Sequence, residues 1–594
     1  MSSTRRALGL AIATAFRADP WRATGVLLTQ AFASVVGVLT AFWLKQIVDA
    51  AVSHDQDAAL VAAVAIGATA GVGLMAAAIS TRMLFPLKEN TALYLDRRIV
   101  ALVSGIPGVE HHERPKYLDR LEVLRNEMDT LGFAGMHTAG AFALVVRVMA
   151  TGVLLASINP LLLAVPLFAV PSLWAGAKAE RIRQTALDSS ADKARRGRQL
   201  FELATSPAAG KELRVFGVGD ELLRRHRADW RDVDRVLDGA SRRGMAWEAL
   251  SWIVFSAGYA AAILLVVDQA VTGGASIGDV VLALALVAQV NGQVSAAVGT
   301  VSQIVRTVKV AERYLWLTDY AETHQAVIDD PAPPPDRLTY GIELRGVAFR
   351  YPGSTVDVLG EFDLFLPAGA TVAVVGDNGA GKSTLVKLLC RFYEPSKGVI
   401  TVDGTDLRRI DIGAWRERMS AGFQDFSRFE LQATETIGVG DVPFINDSAA
   451  VATALERAAS ANVVDALPNG LETQLGTSFD SGVELSGGQW QKLALARAMM
   501  RPAPLLLVLD EPTAALDAET EHTLFARYAA AASGLAARNG AITLMVSHRF
   551  STVRMADLIV LDGARLVEVG THDELMAKSG QYSELYSIQA AAYR

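Results

Sequence analysis

Apolar stretches in the first half of this 594-residue chain decide what the rest of it can be. They run Thr24–Leu44, Ala58–Thr81, Ala139–Ser157, Leu161–Ala177, Trp247–Val267 and Ile277–Gly299, each bounded by charges or turn residues. A helix needs about 20 mostly apolar residues to cross the hydrocarbon core of a bilayer, so these stretches predict a six-span helical membrane domain. Composition agrees, with 51% hydrophobic and 20% charged residues, below the roughly 25% charged share of soluble domains. At about 150 residues per domain, the length exceeds a single core. High apolar content excludes disorder, and the lone Cys390 excludes a disulfide scaffold. A formal net charge of -7 gives no sign of a nucleic-acid partner.

Lys and Arg are retained on the cytoplasmic side of a membrane, which orients the spans. The loops 49–57, 157–160 and 268–276 contain neither residue and are expected outside. Segments 82–132 and 178–243 are rich in both signs, with Arg195, Arg196, Arg198, Arg224, Arg225, Arg227, Arg242 and Arg243, and are expected inside together with both termini. Leu200, Leu203, Phe216, Leu222 and Leu223 keep helical spacing among those charges, so the membrane helices are expected to continue well past the bilayer. Pro331, Pro333, Pro334 and Pro335 then break the pattern. The expected division is a membrane domain over 1–328, an extended linker over 329–340 and a second domain over 341–594. At the start, Arg5 and Arg6 before Ala7–Phe16 imitate a secretory signal. The apolar run is short and closed by Arg17 and Asp19, which predicts an amphipathic helix at the inner membrane surface.

In the second domain, Thr371–Val375 reads as a buried strand. It is followed by Gly376, Asp377, Asn378, Gly379, Ala380, Gly381, Lys382, Ser383 and Thr384, and then by a helical run to Arg391. This is a P-loop in its strand–loop–helix setting. Its glycines let backbone N–H groups converge on phosphate oxygens, Lys382 reaches the β- and γ-phosphates, and Ser383 suits Mg²⁺. Downstream, the apolar run Leu505–Leu509 ends in Asp510 and Glu511, which suit the Mg²⁺ shell and a water-orienting base respectively. Between them, Ser486, Gly487, Gly488 and Gln489 open a second helix with exposed N–H groups and a hydroxyl, a device a second copy of the chain could use.

With these motifs in this order, residues 342–580 resemble an ABC transporter nucleotide-binding domain, and residues 1–330 resemble the six-helix membrane domain of its exporter-type half-transporters. The resemblance implies an α/β P-loop ATPase domain with antiparallel β and helical subdomains, ATP and Mg²⁺ as ligands, and a dimer with a second copy or a homologous half-transporter. It further implies that Tyr351 stacks on adenine and that Gln424 senses Mg²⁺ and the attacking water. Asp517 links the two sites of the dimer, and His548 contacts the γ-phosphate. The catalytic set is then Glu511, His548, Gln424 and Lys382, with Ser383, Gln424 and Asp510 on the metal. Other histidines, among them His111, His112 and His226, show no metal-site spacing. One stretch departs from the family: residues 476–482 read Gly-Thr-Ser-Phe-Asp-Ser-Gly where Gly-Glu-Arg-Gly is usual. Segments 110–122 and 206–219 are expected to couple the two domains.

The implied activity is ATP-driven export of an amphipathic small molecule, peptide or lipid by alternating access, in a bacterial inner or plasma membrane with the ATPase domain cytoplasmic. Importers and lipid flippases share the fold, and a regulatory or soluble ABC ATPase of repair or translation is a separate class. No peptidase domain precedes the first span, so leader cleavage is not expected. Arg147 lies roughly 18 Å from the outer turn, at a depth where arginine costs on the order of 2.5–3.5 kcal/mol. It is a candidate for lining a transport cavity, as are Gln289 and Gln293 on one face of the sixth span, with Asn291 on another; an interhelical hydrogen-bonding role is the alternative for all three candidates.

Overall fold

The computed structural model describes residues 2–206, 209–324, 328, 330–377, 379–511, 532–547, 556–562 and 565–592. It divides into two compact units: Met1–Ser104 with Asp119–Ala321, and Gly105–Leu118 with Glu322–Arg594.

Up to residue 324 the chain is helical: α1 (Ser2–Ala18), α2 (Pro20–Ser53), α3 (Gln56–Ser104), α4 (Glu110–Glu113), α5 (Pro115–Gly132), α6 (Ala134–Ile158), α7 (Val165–Thr205), α8 (Gly210–Val215), α9 (Gly219–Val271) and α10 (Ile277–His324). Among the described residues, 6 helices are long and apolar enough to cross a membrane: α2, α3, α6, α7 with the turn before it, α9 and α10. Each contains one of the apolar stretches in the sequence. The 53 residues of α9 extend about 80 Å, against a hydrocarbon core of roughly 30 Å. More than half of α9 therefore runs beyond the apolar layer, which its charged first half requires.

Lipid tails give helices no hydrophobic reason to associate, so small residues must bring the backbones close. Gly73 on α3 faces Val36 of α2, where a Cβ would come within 2.6 Å, and Gly258 on α9 faces Phe168 of α7, where it would come within 2.3 Å. Gln293, 4% exposed, donates to Thr151 Oγ1 on α6 at 2.7 Å, and Gln289 donates to the Gly37 carbonyl of α2 at 3.0 Å. Both glutamines thus tie helices together. Helix α1 buries Ala7, Ala11, Thr14 and Ala15 and leaves Leu8, Ile12 and Phe16 at 40%, 41% and 36% exposure. Spaced by four, the three form one apolar stripe of the kind that lies in a membrane interface.

The second unit holds two sheets. β1 (Gly341–Phe349), β2 (Leu359–Pro367), β4 (Lys397–Val402) and β5 (Thr405–Asp406) form an antiparallel sheet in the order β2-β1-β4-β5. β3 (Thr371–Val375), β6 (Met419–Gly422), β7 (Leu506–Asp510), β8 (Ile542–Val546), β9 (Asp557–Asp562) and β10 (Arg565–Gly570) form the order β10-β9-β3-β8-β7-β6, parallel except for the edge strand β10. Helix α11 (Lys382–Leu389) follows β3 and α12 (Ile412–Glu417) precedes β6. Between β6 and β7 come α13 (Ala433–Gly438), α14 (Ser448–Arg457), α15 (Ala461–Asp465) and α16 (Gly487–Ala498). This is the α/β domain with antiparallel and helical parts that the sequence implied. The proline stretch lies along this unit: Ala332 donates to the Arg409 carbonyl at 2.8 Å, and Arg418 donates to that of Asp336 at 2.7 Å. Burial pushes the Cys390 thiol up to about 12, so it is a core residue rather than a nucleophile.

Helix α4 also belongs to this unit. His111 is 2% exposed, with its ring 5.1 Å from that of Tyr117 and 4.1 Å from that of His112. Burial, then the charges of His112 and His324, lower the imidazole from 6.5 to about 4. Between those values the unfolded chain binds more protons than the folded one, so stability is lost as pH falls through that window. The full shift corresponds to about 3 kcal/mol. Protection of segment 105–118 against hydrogen exchange is expected to drop between pH 6.5 and 4. His111→Gln should flatten that drop, and an unaltered profile would assign the sensitivity elsewhere.

Candidate functional site

A parallel sheet brings the carboxyl ends of its strands to one edge, and ligands of open α/β sheets bind outside that edge. The end of β3 opens into residues 376–381. Gly376, Gly379 and Gly381 have φ of 147°, 86° and 96°. At Gly381 a Cβ would stand 2.5 Å from Leu359 and 3.0 Å from the Val358 carbonyl, so only glycine fits where the loop turns into α11. Lys382 lies buried at the helix start and donates to the carbonyls of Gly376 at 2.7 Å and Asp377 at 2.9 Å. Burial lowers its pKa, opposed by Glu511, Asp510 and Asp377. The ammonium is thus held against the carbonyls of its own loop, at the helix start where phosphate charge is favoured. Asn378 lies outside the described residues.

Two strands away, β7 ends in Asp510, in register with Val546 of β8. Asp510 is 7% exposed, and burial, then the Glu511 charge, raise its pKa to about 6 against the Ser383 hydroxyl and Lys382. Its Oδ1 is buried without a hydrogen-bond partner. A raised carboxyl with an orphaned oxygen, next to the Ser383 hydroxyl, fits a hard divalent cation. Mg²⁺ typically takes one or two protein oxygens and fills the rest of its shell with phosphate and water. Consistent with so sparse a set, no cluster of three or more His, Cys, Asp or Glu suited to a metal occurs among the described residues.

Glu511 follows in the left-handed region with φ 48°, its N–H donating to the Val546 carbonyl at 3.0 Å. Strain of this kind persists only where neighbours hold it. Gln424, two residues beyond β6, donates to Glu511 Oε2 at 2.8 Å. The P-loop lysine, Ser383, Asp510, Glu511 and Gln424 therefore stand together at one edge of the sheet. His548 and Asp517 lie outside the described residues.

Ser486, Gly487, Gly488 and Gln489 stand apart from this group. Ser486 is the N-cap of α16: its Oγ accepts from the Gln489 N–H at 3.3 Å, and Gln489 Oε1 accepts from the Ser486 N–H at 2.8 Å. This reciprocal box uses a lone pair of the hydroxyl and keeps its proton for another acceptor. The unusual stretch 476–482 closes on itself, with Gly476 donating to Val483 at 3.0 Å and Phe479 half-exposed at the bend.

Tyr351 packs edge-on against Phe349 and Tyr393, and its hydroxyl is 3.1 Å from that of Thr384 on α11. Lys387, one turn further along α11, donates to Tyr351 at 3.4 Å and to Glu113 of α4 at 2.5 Å; Tyr393 also donates to Glu113 at 2.5 Å. Burial alone would raise the Glu113 carboxyl, but the bonds from Lys387 and Tyr393 and the lysine charge hold it below the ordinary range. Sequence reasoning missed Lys387 and Tyr393. A lysine set among Leu385, Val386, Leu388 and Leu389, all buried, was the available signal.

Residues 359–514 match the ABC transporter family. Two relatives are named ATP-dependent lipid A-core flippases. That of Aromatoleum aromaticum is 36% identical over 332 residues, 56% of this chain and 53% of the relative. That of Ralstonia nicotianae is 40% identical over 280 residues, 46% and 45% of the two chains. The chain thus spans about half the length of the curated relatives it matches. The structure of a bacterial Atm1-family ABC exporter with ATP bound superposes with a TM-score of 0.74 at 22% identity, covering 96% of this chain and 98% of the other. The P-loop edge, the helical insertion before β7 and six membrane-length helices are features this chain shares with ABC transporters: residues 359–514 match that family, and the fold is that of the ABC exporter structure.

Proposed function

We propose that the chain is an ATP-driven transporter that hydrolyses ATP between two copies of itself and moves an amphipathic, anionic compound across the bilayer. The observation that carries the ATPase reading is the contact of Gln424 with Glu511 beside the P-loop. In this reading the loop N–H groups and Lys382 hold the β- and γ-phosphates. Asp510 and Ser383 would hold Mg²⁺, with Gln424 close to its shell; the ion supplies charge neutralisation between the phosphates. Gln424 fixes one oxygen of Glu511, so the carboxylate is oriented towards an attacking water in line with the bond to the leaving phosphate. Tyr351 is assigned to adenine, Asp517 and His548 to the dimer link and the γ-phosphate. Ser486, Gly487, Gly488 and Gln489 of the partner copy close the site with the remaining hydroxyl proton and N–H groups. The Lys and Arg bias of segments 82–132 and 178–243 favours a cytoplasmic ATPase domain.

Arg147 supports an anionic cargo. Its Nε is buried without a hydrogen-bond partner, deep in the span α6 and one turn from Thr151. The two matched flippases carry lipid A-core in their names, and a phosphorylated lipid would meet the same chemistry here.

Glu511→Gln is expected to keep ATP affinity within a few-fold while turnover falls at least about 100-fold; normal steady-state hydrolysis would remove Glu511 from the reaction. Arg147→Met should reduce ATPase stimulation by anionic amphiphiles in proteoliposomes more than stimulation by zwitterionic ones. Equal losses would argue against a charge-reading role. Because Glu113 positions Lys387 beside Tyr351, Glu113→Ala should weaken equilibrium binding of ATP several-fold and Glu113→Gln less, with equal affinity in all three chains excluding the link.

A further inference from the structure

A cationic cavity lies in the nucleotide-binding unit, lined by none of the groups assigned above. Its volume is about 200 Å³, and Arg457, Arg501 and Arg538 line it over an apolar floor that includes Met499, Pro504 and Leu507. No carboxylate is among its described lining residues.

The ordinary role of such arginines is to serve helix C-termini, and three helices end here: α14 at Arg457, α16 at Ala498 and the helix 532–539 just after Arg538. Each helix end carries about −0.5 of a charge, some −1.5 together, so roughly half of the threefold positive charge is left uncompensated. Two of the guanidinium groups are also anchored. Arg457 donates to the Met499 carbonyl at 3.2 Å, and Arg501 donates to the Met419 carbonyl at 2.5 Å and to that of Arg416. Burial, then the charge of Arg538, lower the pKa of Arg457. Unanchored surface arginines relieve mutual repulsion by swinging apart; anchored ones keep it until an anion arrives.

We propose that this cavity binds a small phosphate-bearing anion through the three guanidinium groups, whose planar N–H pairs match phosphate oxygens. Its volume is below the roughly 300–1,000 Å³ of sites that enclose a whole drug-sized ligand, so it takes one or two phosphate groups and not a nucleoside. Met499, Arg501, Pro502 and Pro504 line it and lie in the segment 499–505 that joins α16, which carries the Ser486 cap, to β7, which ends at Asp510. An occupant therefore braces the segment between the two halves of the nucleotide machinery.

The test is calorimetric titration of inorganic pyrophosphate into the full chain in phosphatidylcholine nanodiscs, using Lys382→Ala to disable the P-loop. A saturable site is expected to persist there, and also in the unaltered chain filled with a non-hydrolysable ATP analogue. Arg538→Gln should weaken it at least tenfold, and Arg538→Lys less. Arg538 is exposed and the thermal unfolding of both variants should match that of the parent. Loss of all binding in both P-loop-blocked forms, or unchanged affinity in Arg538→Gln, overturns the proposal. With phosphatidic acid added to the nanodiscs, unchanged pyrophosphate affinity assigns the site to soluble phosphate compounds, and competition assigns it to a lipid headgroup.

Discussion

A carboxylate at the end of a fully apolar strand is the constraint on which the nucleotide-binding unit depends. The five residues of β7 are all buried, and the strand delivers Asp510 to the sheet edge with its charge opposed by burial. Nothing in the apolar core can relieve that cost, so the relief comes from the groups gathered along the edge, the Ser383 hydroxyl and the Lys382 ammonium. The parallel order β3-β8-β7-β6 sets their spacing. It places the P-loop two strands from the carboxylates and puts Gln424 just past the end of the strand beyond, within reach of Glu511.

The membrane unit answers a different requirement. In lipid, close approach of backbones replaces burial as the source of cohesion, and glycines opposite Val36 and Phe168 provide it. Polar residues in these helices then have two uses. Gln289 and Gln293 satisfy themselves across helix pairs, whereas Arg147 keeps a buried nitrogen without a partner. That contrast separates residues that assemble the bundle from one whose charge the described helices leave unanswered at that nitrogen.

Much of this was legible in the sequence. Each apolar stretch lies within one membrane-length helix, because hydrophobicity over about 20 residues is a strong and local signal. The P-loop was equally plain, since its glycines answer to backbone geometry that a short string encodes. What the string did not carry was the company a residue keeps across the fold. The left-handed backbone of Glu511 depends on Val546, and the partners of Gln293 and Lys387 come from 142 and 274 positions away. Helix lengths were foreseen only in kind: mixed charge with helical spacing said that the spans continue, and the uninterrupted backbone of α9 says how far.

Helix α9 is in effect a rigid shaft of about 80 Å, set in a slab less than half as thick. If such a rod rocks by 5° about its point of exit from the membrane, a tip some 50 Å away sweeps roughly 4 Å, close to the diameter of a water molecule plus its neighbour's radius. Leverage of that size turns a small tilt at one end into a side-chain-scale displacement at the other, without any bend in the rod itself.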